Sequence, residues 1–386
     1  LAEEKTDMVG LSRQMLADPY WPIKAQYGKV KAIRKCISCL TGCWQESMMA
    51  KTEIACAINP ACGNEAFTDI PRAEKPLKLA VVGGGPAGME AARIATERGH
   101  TATIFEKTGE LGGAILGCCM APGKEKMKWY ADWVRYQIQG LGIEVKLNTE
   151  PTLEDLKGYD AVVNATGALS YAPKVHGKAD SILAMEDVMA CPKVACEFHP
   201  QNGRKPIKLE GDKVAVWGDH YPAVDTALRL AAAGKEVTVV TGNKQFAAGV
   251  EVIHMYVFRK RFELNDAEGL DSKPFKHRVR VIESSRIDEI RDGEITVVDN
   301  DFNEEVIPCD HVVTCWVRPN DAFFQEMRKA GLTVVNVGDA IRPRNLHAAV
   351  REGATAGLDL ETDKFYNCNG ALVNELPLDI AGQLKR

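Results

Sequence analysis

From residue 78 onward the chain alternates short apolar runs with amphipathic stretches. Leu79-Ala80-Val81-Val82 is apolar at four successive positions, which suits a strand covered on both faces. The run feeds into Gly83-x-Gly85-x-x-Gly88, and apolar positions then recur at helical spacing over 89–98. A second apolar run, 101–105, ends on Glu106. Strand, glycine turn, helix, strand and acidic residue in that order predict a βαβ unit that binds a dinucleotide. Gly83 permits the tight turn, Gly85 lets the backbone approach a pyrophosphate, and Gly88 lets the helix pack close to the strand. Pro86 and Ala87 open the helix, whose first N–H groups are offered to phosphates, while Glu106 can accept hydrogen bonds from an adenosine ribose.

The same patterning continues with a helix at 127–139, a strand at 143–145, and a buried strand from 160 that ends in Asn164-Ala165-Thr166-Gly167. A second βαβ follows: strand 213–217, helix 223–233, strand 236–240. Here the glycine code is broken. Gly218-Asp219-His220-Tyr221-Pro222-Ala223 keeps the first glycine and a tolerable third position, but places His220 where a pyrophosphate needs space and Asp219 beside it. Thr241 stands where an NAD-selective carboxylate is expected. These features argue against ordinary NAD(P)H binding; were His220 to swing out, Arg259-Lys260-Arg261 could serve a 2′-phosphate, although such a run equally suits a solvated face. Strands at 279–283, 287–290 and 295–298 read as a meander, 311–316 as another strand, and 332–337 as a strand ending in Gly338-Asp339-Ala340 before a helix at 346–358. The chain thus leaves one domain, makes a second and returns. The expected fold is α/β, with two Rossmann-like dinucleotide-binding domains, 76–170 with 321–386 and 211–320, the second inserted in the first. Residues 71–76, bounded by prolines, form the linker before them; Cys191 and Cys196 could be a redox pair but lack the C-x-x-C spacing and read as structural or incidental, and Cys368 suggests no chemistry.

Composition narrows the class. The 386 residues are 45% hydrophobic and 26% charged, enough for two or three domains with real cores. A net charge of −5 leaves no basic footprint for nucleic acid. No apolar run approaches the roughly 20 residues of a membrane span, and residues 1–10 carry charges where a signal peptide has its apolar core, so a cytoplasmic location is expected. The chain lacks an initiator Met and opens like the end of an element begun upstream.

Twelve cysteines are many for that compartment, and four fall in one segment. Cys36-x-x-Cys39-x-x-x-Cys43 is followed by Cys56, three thiolates close together and one returning, as corners of a [4Fe–4S] cluster require. Structural zinc, which prefers two separated knuckles, and unliganded thiols are the alternatives. Cys62 reads as a small buried side chain nearby. Upstream, 7–19 reads as a short strand at Met8-Val9, a turn at Gly10 and a helix carrying Arg13. That is either a plain connection or the last βα loop of a TIM barrel, where backbone N–H groups and an Arg hold a phosphate.

The order LSRQMLADP, CISCLTGC with Cys56 and NPAC, then VVGGGPAG, Glu106-Lys107 and Leu111-Gly112-Gly113 resembles the iron–sulfur flavoproteins that include 2,4-dienoyl-CoA reductase, 2-enoate reductase and trimethylamine dehydrogenase. The resemblance spans essentially the whole chain. It implies that residues 1–30 end an FMN-binding TIM barrel, with Gly10 and Arg13 in its phosphate loop, and that 31–70 carry a [4Fe–4S] cluster on Cys36, Cys39, Cys43 and Cys56. It implies FAD at the first domain, with Gly112 and Gly113 on the flavin side, Thr166 and Gly167 where the chain passes the flavin, and Gly338 and Asp339 at the ribityl and phosphate. Gly83, Gly85, Gly88 and Glu106 alone hold only the ADP half, so ADP in place of FAD stays open. The expected role is to relay electrons between FAD, the cluster and an FMN barrel in the same or a separate polypeptide, within a homo-oligomer or multi-subunit complex. Pro122-Gly123-Lys124-Glu125 looks like the reductase branch, whereas Gly218-Asp219-His220 looks like the amine dehydrogenase branch, which passes electrons to an electron-transferring flavoprotein. A non-catalytic nucleotide-binding scaffold is the remaining alternative. No catalytic acid or base is assigned, because in the family these sit in the barrel.

Overall fold

A computed structural model describes residues 7–64, 70–189, 209–265 and 274–360. Cys191, Cys196 and Cys368 lie outside them.

The opening strand Lys78–Val82 is central in a five-stranded parallel sheet. Its order is Val334–Asn336, Ala161–Asn164, Lys78–Val82, Thr101–Phe105, Glu144–Lys146. The two faces explain the unbroken apolar run. Leu79 and Val81 enter the core under the helices Pro86–Glu97, Met127–Gly140 and Leu346–Leu358, whereas Ala80 and Val82 pack with Leu156, Phe324 and Met327 on the other side. The last strand of the sheet is supplied by the returning chain, in register with Ala161–Asn164.

The second unit repeats the theme. Arg280–Ile282, Glu236–Val240, Lys213–Trp217, His311–Thr314 and Leu183–Ala184 form a parallel sheet, with the helix His220–Ala232 on one face. Its other face packs on a smaller sheet of Ser285–Arg291, Glu294–Asp299, Glu304–Pro308 and His176–Gly177. The two crossings between units, Ala168–Ser170 and Val317–Pro319, pair antiparallel.

Three expectations change. Met8 and Val9 are 84% and 59% exposed and form no strand; a strand needs a sheet to pair with, and the described residues offer none there. Arg280–Ile282 leaves the meander to extend the parallel sheet, and Glu304–Pro308 takes the meander's third place. The helix after the broken glycine turn begins at His220, three residues earlier than its apolar periodicity suggests.

Candidate functional site

The first cradle is built from sterically forced contacts. Gly83 has φ +109°, and its N–H donates to the Phe105 carbonyl at 2.8 Å; a Cβ there would strike the Ala165 carbonyl. A Cβ at Gly88 would strike the Gly83 carbonyl and come 2.9 Å from Val81 Cγ1, so helix and strand touch backbone to backbone. Gly85 is the exception: a Cβ there would meet only the Cα of Gly113, at 3.9 Å. That open space lies before the 12-residue helix Pro86–Glu97, which has no capping side chain and leaves its N-terminal donors to a ligand.

Glu106 is buried and pre-oriented. One carboxylate oxygen accepts from the Gly84 N–H at 2.7 Å, the other from the Thr108 N–H at 2.8 Å and hydroxyl at 2.7 Å. The oxygen that accepts from Gly84 keeps a lone pair for a ribose hydroxyl, while the other is filled by the two Thr108 donors. Lys107 beside it is exposed. The Gly112 N–H donates to the Gly84 carbonyl at 2.8 Å, so Gly112 and Gly113 lie directly on the glycine turn.

The returning chain completes this cradle. The Ala165 N–H donates to the Val82 carbonyl at 2.8 Å, and the Thr166 hydroxyl and Gly167 carbonyl bond to Asn320, at 2.8 and 3.0 Å. Gly353 and Gly357 let the helix Leu346–Leu358 lie against Pro86–Glu97; a Cβ at Gly353 would strike the Ala87 carbonyl, and one at Gly357 would come 2.5 Å from that of Ala91. This crossing sets Gly338 beside Ala87. Gly338 N–H donates to Glu352 at 2.7 Å, Glu352 pairs with Arg344, and the Arg344 N–H donates to Asp339 at 3.0 Å. Burial pushes the Asp339 and Glu352 carboxyls above their ordinary pKa, and Arg344 opposes this at both. Glu352 and the buried pair Asn164–Asn336, 2.7 Å apart across adjacent strand ends, were not on the sequence-based roster of site residues. A glutamate in an otherwise small and apolar helix face was the available signal for the first.

Cys36, Cys39, Cys43 and Cys56 line one pocket, together with Arg13, Leu16, Ile37, Leu40, Gly42, Ala57 and Ile58. Ser38 and Leu40 take left-handed φ values of 58° and 57°, and a π-helical turn, Thr41–Met49, carries Cys43 back toward the others. Gln14 holds the short helix Arg13–Ala17 to this segment, accepting from the Cys36 N–H at 2.9 Å and donating to the Arg34 carbonyl at 3.0 Å. Burial raises the Cys39 and Cys43 thiols and pushes Cys56 up to about 12; the Arg13 charge opposes this at Cys43. A bound metal's own charge would favour the thiolate form of such ligands. Among the described residues no three His, Cys, Asp or Glu side chains are grouped to hold a metal ion. Arg13, expected in a phosphate loop, stands on the rim of this pocket, and Gly10 has nothing within 4 Å of its Cβ position. Cys62 is buried outside the pocket lining.

The second glycine turn is filled from within. Asp219 is 4% exposed and caps the helix His220–Ala232. Its carboxylate accepts from the His220 N–H at 2.6 Å, the Ala247 N–H at 2.7 Å, the Thr241 hydroxyl at 3.2 Å and the Asn243 amide. Those donors converge as they would on a phosphate. His220, with φ +57°, lays its ring against Gly249, so the group at the helix N-terminus is Asp219 and not, as its position in the motif suggests, the imidazole. The basic run is used locally: Arg259 pairs with Glu263 and Glu283, and Arg261 stacks on Phe275 at 4.1 Å.

Side chains of the cysteine segment and the first unit fasten both units together. Gln45 accepts from the Val252 N–H at 3.3 Å, and Glu46 pairs with His347 at 2.8 Å. Lys124 reaches across to Asp225 at 2.5 Å and lies 4.2 Å over the Tyr221 ring.

Residues 77–350 match the family model described as pyridine nucleotide-disulphide oxidoreductase. The chain is 33% identical over 268 residues to an NADH oxidase of Thermoanaerobacter brockii, covering 68% of this chain and 39% of that protein. It is 38% identical over 238 residues to a cinnamate reductase of Clostridium sporogenes, covering 61% and 33%. The structure of a 2-naphthoyl-CoA reductase superposes with a TM-score of 0.81 at 29% identity, over 92% of this chain and 51% of that one. The chain therefore spans at most about half the length of these relatives. No helix of the described residues is long and apolar enough to cross a membrane. The chain belongs to the pyridine nucleotide-disulphide oxidoreductase family and is related to parts of proteins named NADH oxidase, cinnamate reductase and dimethylamine dehydrogenase.

Proposed function

We propose that the chain is the electron-relaying part of an iron–sulfur flavoprotein, holding FAD in the first cradle and a [4Fe–4S] cluster on Cys36, Cys39, Cys43 and Cys56. The observation that carries this reading is the convergence of four thiols on one pocket fastened to the flavin domain. The spacing favours a cubane over zinc, which prefers two separated C-x-x-C knuckles to three cysteines close together and one returning. A cluster moves single electrons, and flavins convert between one- and two-electron steps. This chain's residues bind and orient: Glu106 holds the ribose, Gly85 admits the pyrophosphate, and Gly338 with Asp339 approaches the flavin side.

An FMN barrel preceding this part, in the same or another polypeptide, is supported by the relatives' greater length and by Met8, Tyr20, Ile23, Tyr27, Met48 and Met49, each more than half exposed near the cysteine segment. The Asp219 carboxylate in the second cradle favours the amine dehydrogenase-like route, in which electrons leave to a flavoprotein acceptor. Stopped-flow mixing with NADH separates the routes: bound FAD that stays oxidised supports the acceptor route, and rapid bleaching supports delivery by nicotinamide. Purification under anaerobic conditions tests the relay itself. A flavin band with an iron–sulfur shoulder is expected; loss of both would leave a nucleotide-binding scaffold.

A further inference from the structure

Beside Cys56 sits a guanidinium with no carboxylate of its own. Arg34 Nη1 donates to the Ile58 carbonyl at 2.9 Å and to Asn59 Oδ1 at 2.8 Å, and its cation lies 4.1 Å over the Trp133 ring. Its Nε is buried without a hydrogen-bond partner, and no carboxylate of the described residues forms an ion pair with it. The neighbouring Arg93 is different: it is matched by Glu90 at 2.5 Å and Glu97 at 2.8 Å. Both cations share Trp133, but the ion pairs belong to Arg93, and Glu90 attracts Arg34 only from beyond ion-pair distance.

Position makes this cation useful. Arg34 stands two residues before Cys36, and its side chain grips the two residues that lie two and three beyond Cys56. It therefore ties together the two ends of the four-cysteine segment. Its backbone is fixed independently, N–H to Asp18 at 2.9 Å and carbonyl to Gln14 at 3.0 Å. Neutral acceptors, an aromatic face and a carboxylate beyond ion-pair distance that Arg93 already holds solvate a buried cation only in part, so a further anion nearby would stabilise it. Four thiolates would supply that anion, and reduction of a cluster they hold adds one more negative charge.

We propose that Arg34 is the fixed countercharge of the cysteine-bound centre, a positioning residue that holds the Cys56 loop and raises the centre's reduction potential. The proposal rests on the iron–sulfur reading above. Net charge near a cluster sets its potential, and a fixed cation favours the more negative, reduced state.

The test uses the intact protein, reconstituted anaerobically, as wild type, Arg34→Gln and Arg34→Lys. Iron and sulfide per chain are measured first, then the midpoint by titration with dithionite followed by electron paramagnetic resonance. The expected result is equal iron in all three, with Arg34→Gln reduced with an equilibrium constant about tenfold lower, about 59 mV for one electron, and Arg34→Lys within about threefold of wild type. Full iron in Arg34→Gln with an unchanged midpoint would overturn the countercharge while leaving the cluster reading intact. Absence of iron from wild type would overturn the cluster reading, and the countercharge with it. If Arg34→Gln assembles no centre, Arg34→Lys decides: a loaded centre at the wild-type midpoint supports the role of charge, and an empty or shifted one contradicts it.

Discussion

The two glycine turns of this chain stand at the same point of the same fold and differ in what meets the helix N-terminus. At the first, Gly85 faces open space and the helix has no capping side chain. At the second, a loop from the end of the next strand folds back, and its Thr241, Asn243 and Ala247 donors converge with the His220 N–H on Asp219. An anion at such a turn is a requirement of the backbone, because free N–H groups and the helix dipole need one. The chain can leave that anion to a ligand or provide it. Packing is kept either way, with Gly88 or the fully buried Ala223 at the close helix–strand contact.

Substitutions at these turns sharpen the contrast. Gly88→Val forces a branched side chain into the Gly83 carbonyl and should cost the first unit about 3 kcal/mol, read as a lower urea midpoint with loss of bound flavin. Gly85→Asp would import the second cradle's solution into the first. Calorimetry with ADP-ribose should then show at least a roughly 100-fold loss of affinity, about 2.7 kcal/mol, with stability changed by less than about 1 kcal/mol. Unaltered affinity would mean that no phosphate sits over Gly85. In the second unit, Asp219→Ala strands four donors and should destabilise by about 1–3 kcal/mol in urea melts, with Asp219→Asn intermediate.

The smallest effect concerns pH. Burial raises the Asp339 carboxyl's pKa in the folded chain, so its contribution is present at low pH and is lost as pH rises from the ordinary carboxylate value through the folded one. Asp339→Asn should flatten that fall in the flavin-free protein. Urea midpoints between about pH 4 and 7 check it, and parallel curves for wild type and variant would dismiss the burial effect.

Much of this was legible because it is local. Gly83-x-Gly85-x-x-Gly88, Glu106 and the cysteine spacing carry their geometry within one turn or loop, and the two-faced burial of Lys78–Val82 follows from its unbroken apolar run. What escaped depends on partners far along the chain. Asp219 reads as a charge beside a broken motif until the loop 20–30 residues later is seen to close on it. Glu352 gains meaning only from Gly338 and Arg344, and Arg34 only from Trp133 and Asn59. Met8 and Val9 have strand-forming side chains without a sheet to join, which no local pattern can report.

Counting dinucleotides per chain tests the contrast between the cradles most directly. Equilibrium titration of the flavin-loaded protein with NADH, followed by calorimetry and by quantification of released nucleotide, should find one tightly held FAD and no NADH bound at millimolar concentration. A second equivalent that binds at micromolar NADH, and that is lost when Gly249 is replaced by Trp beside the His220 ring, would contradict it.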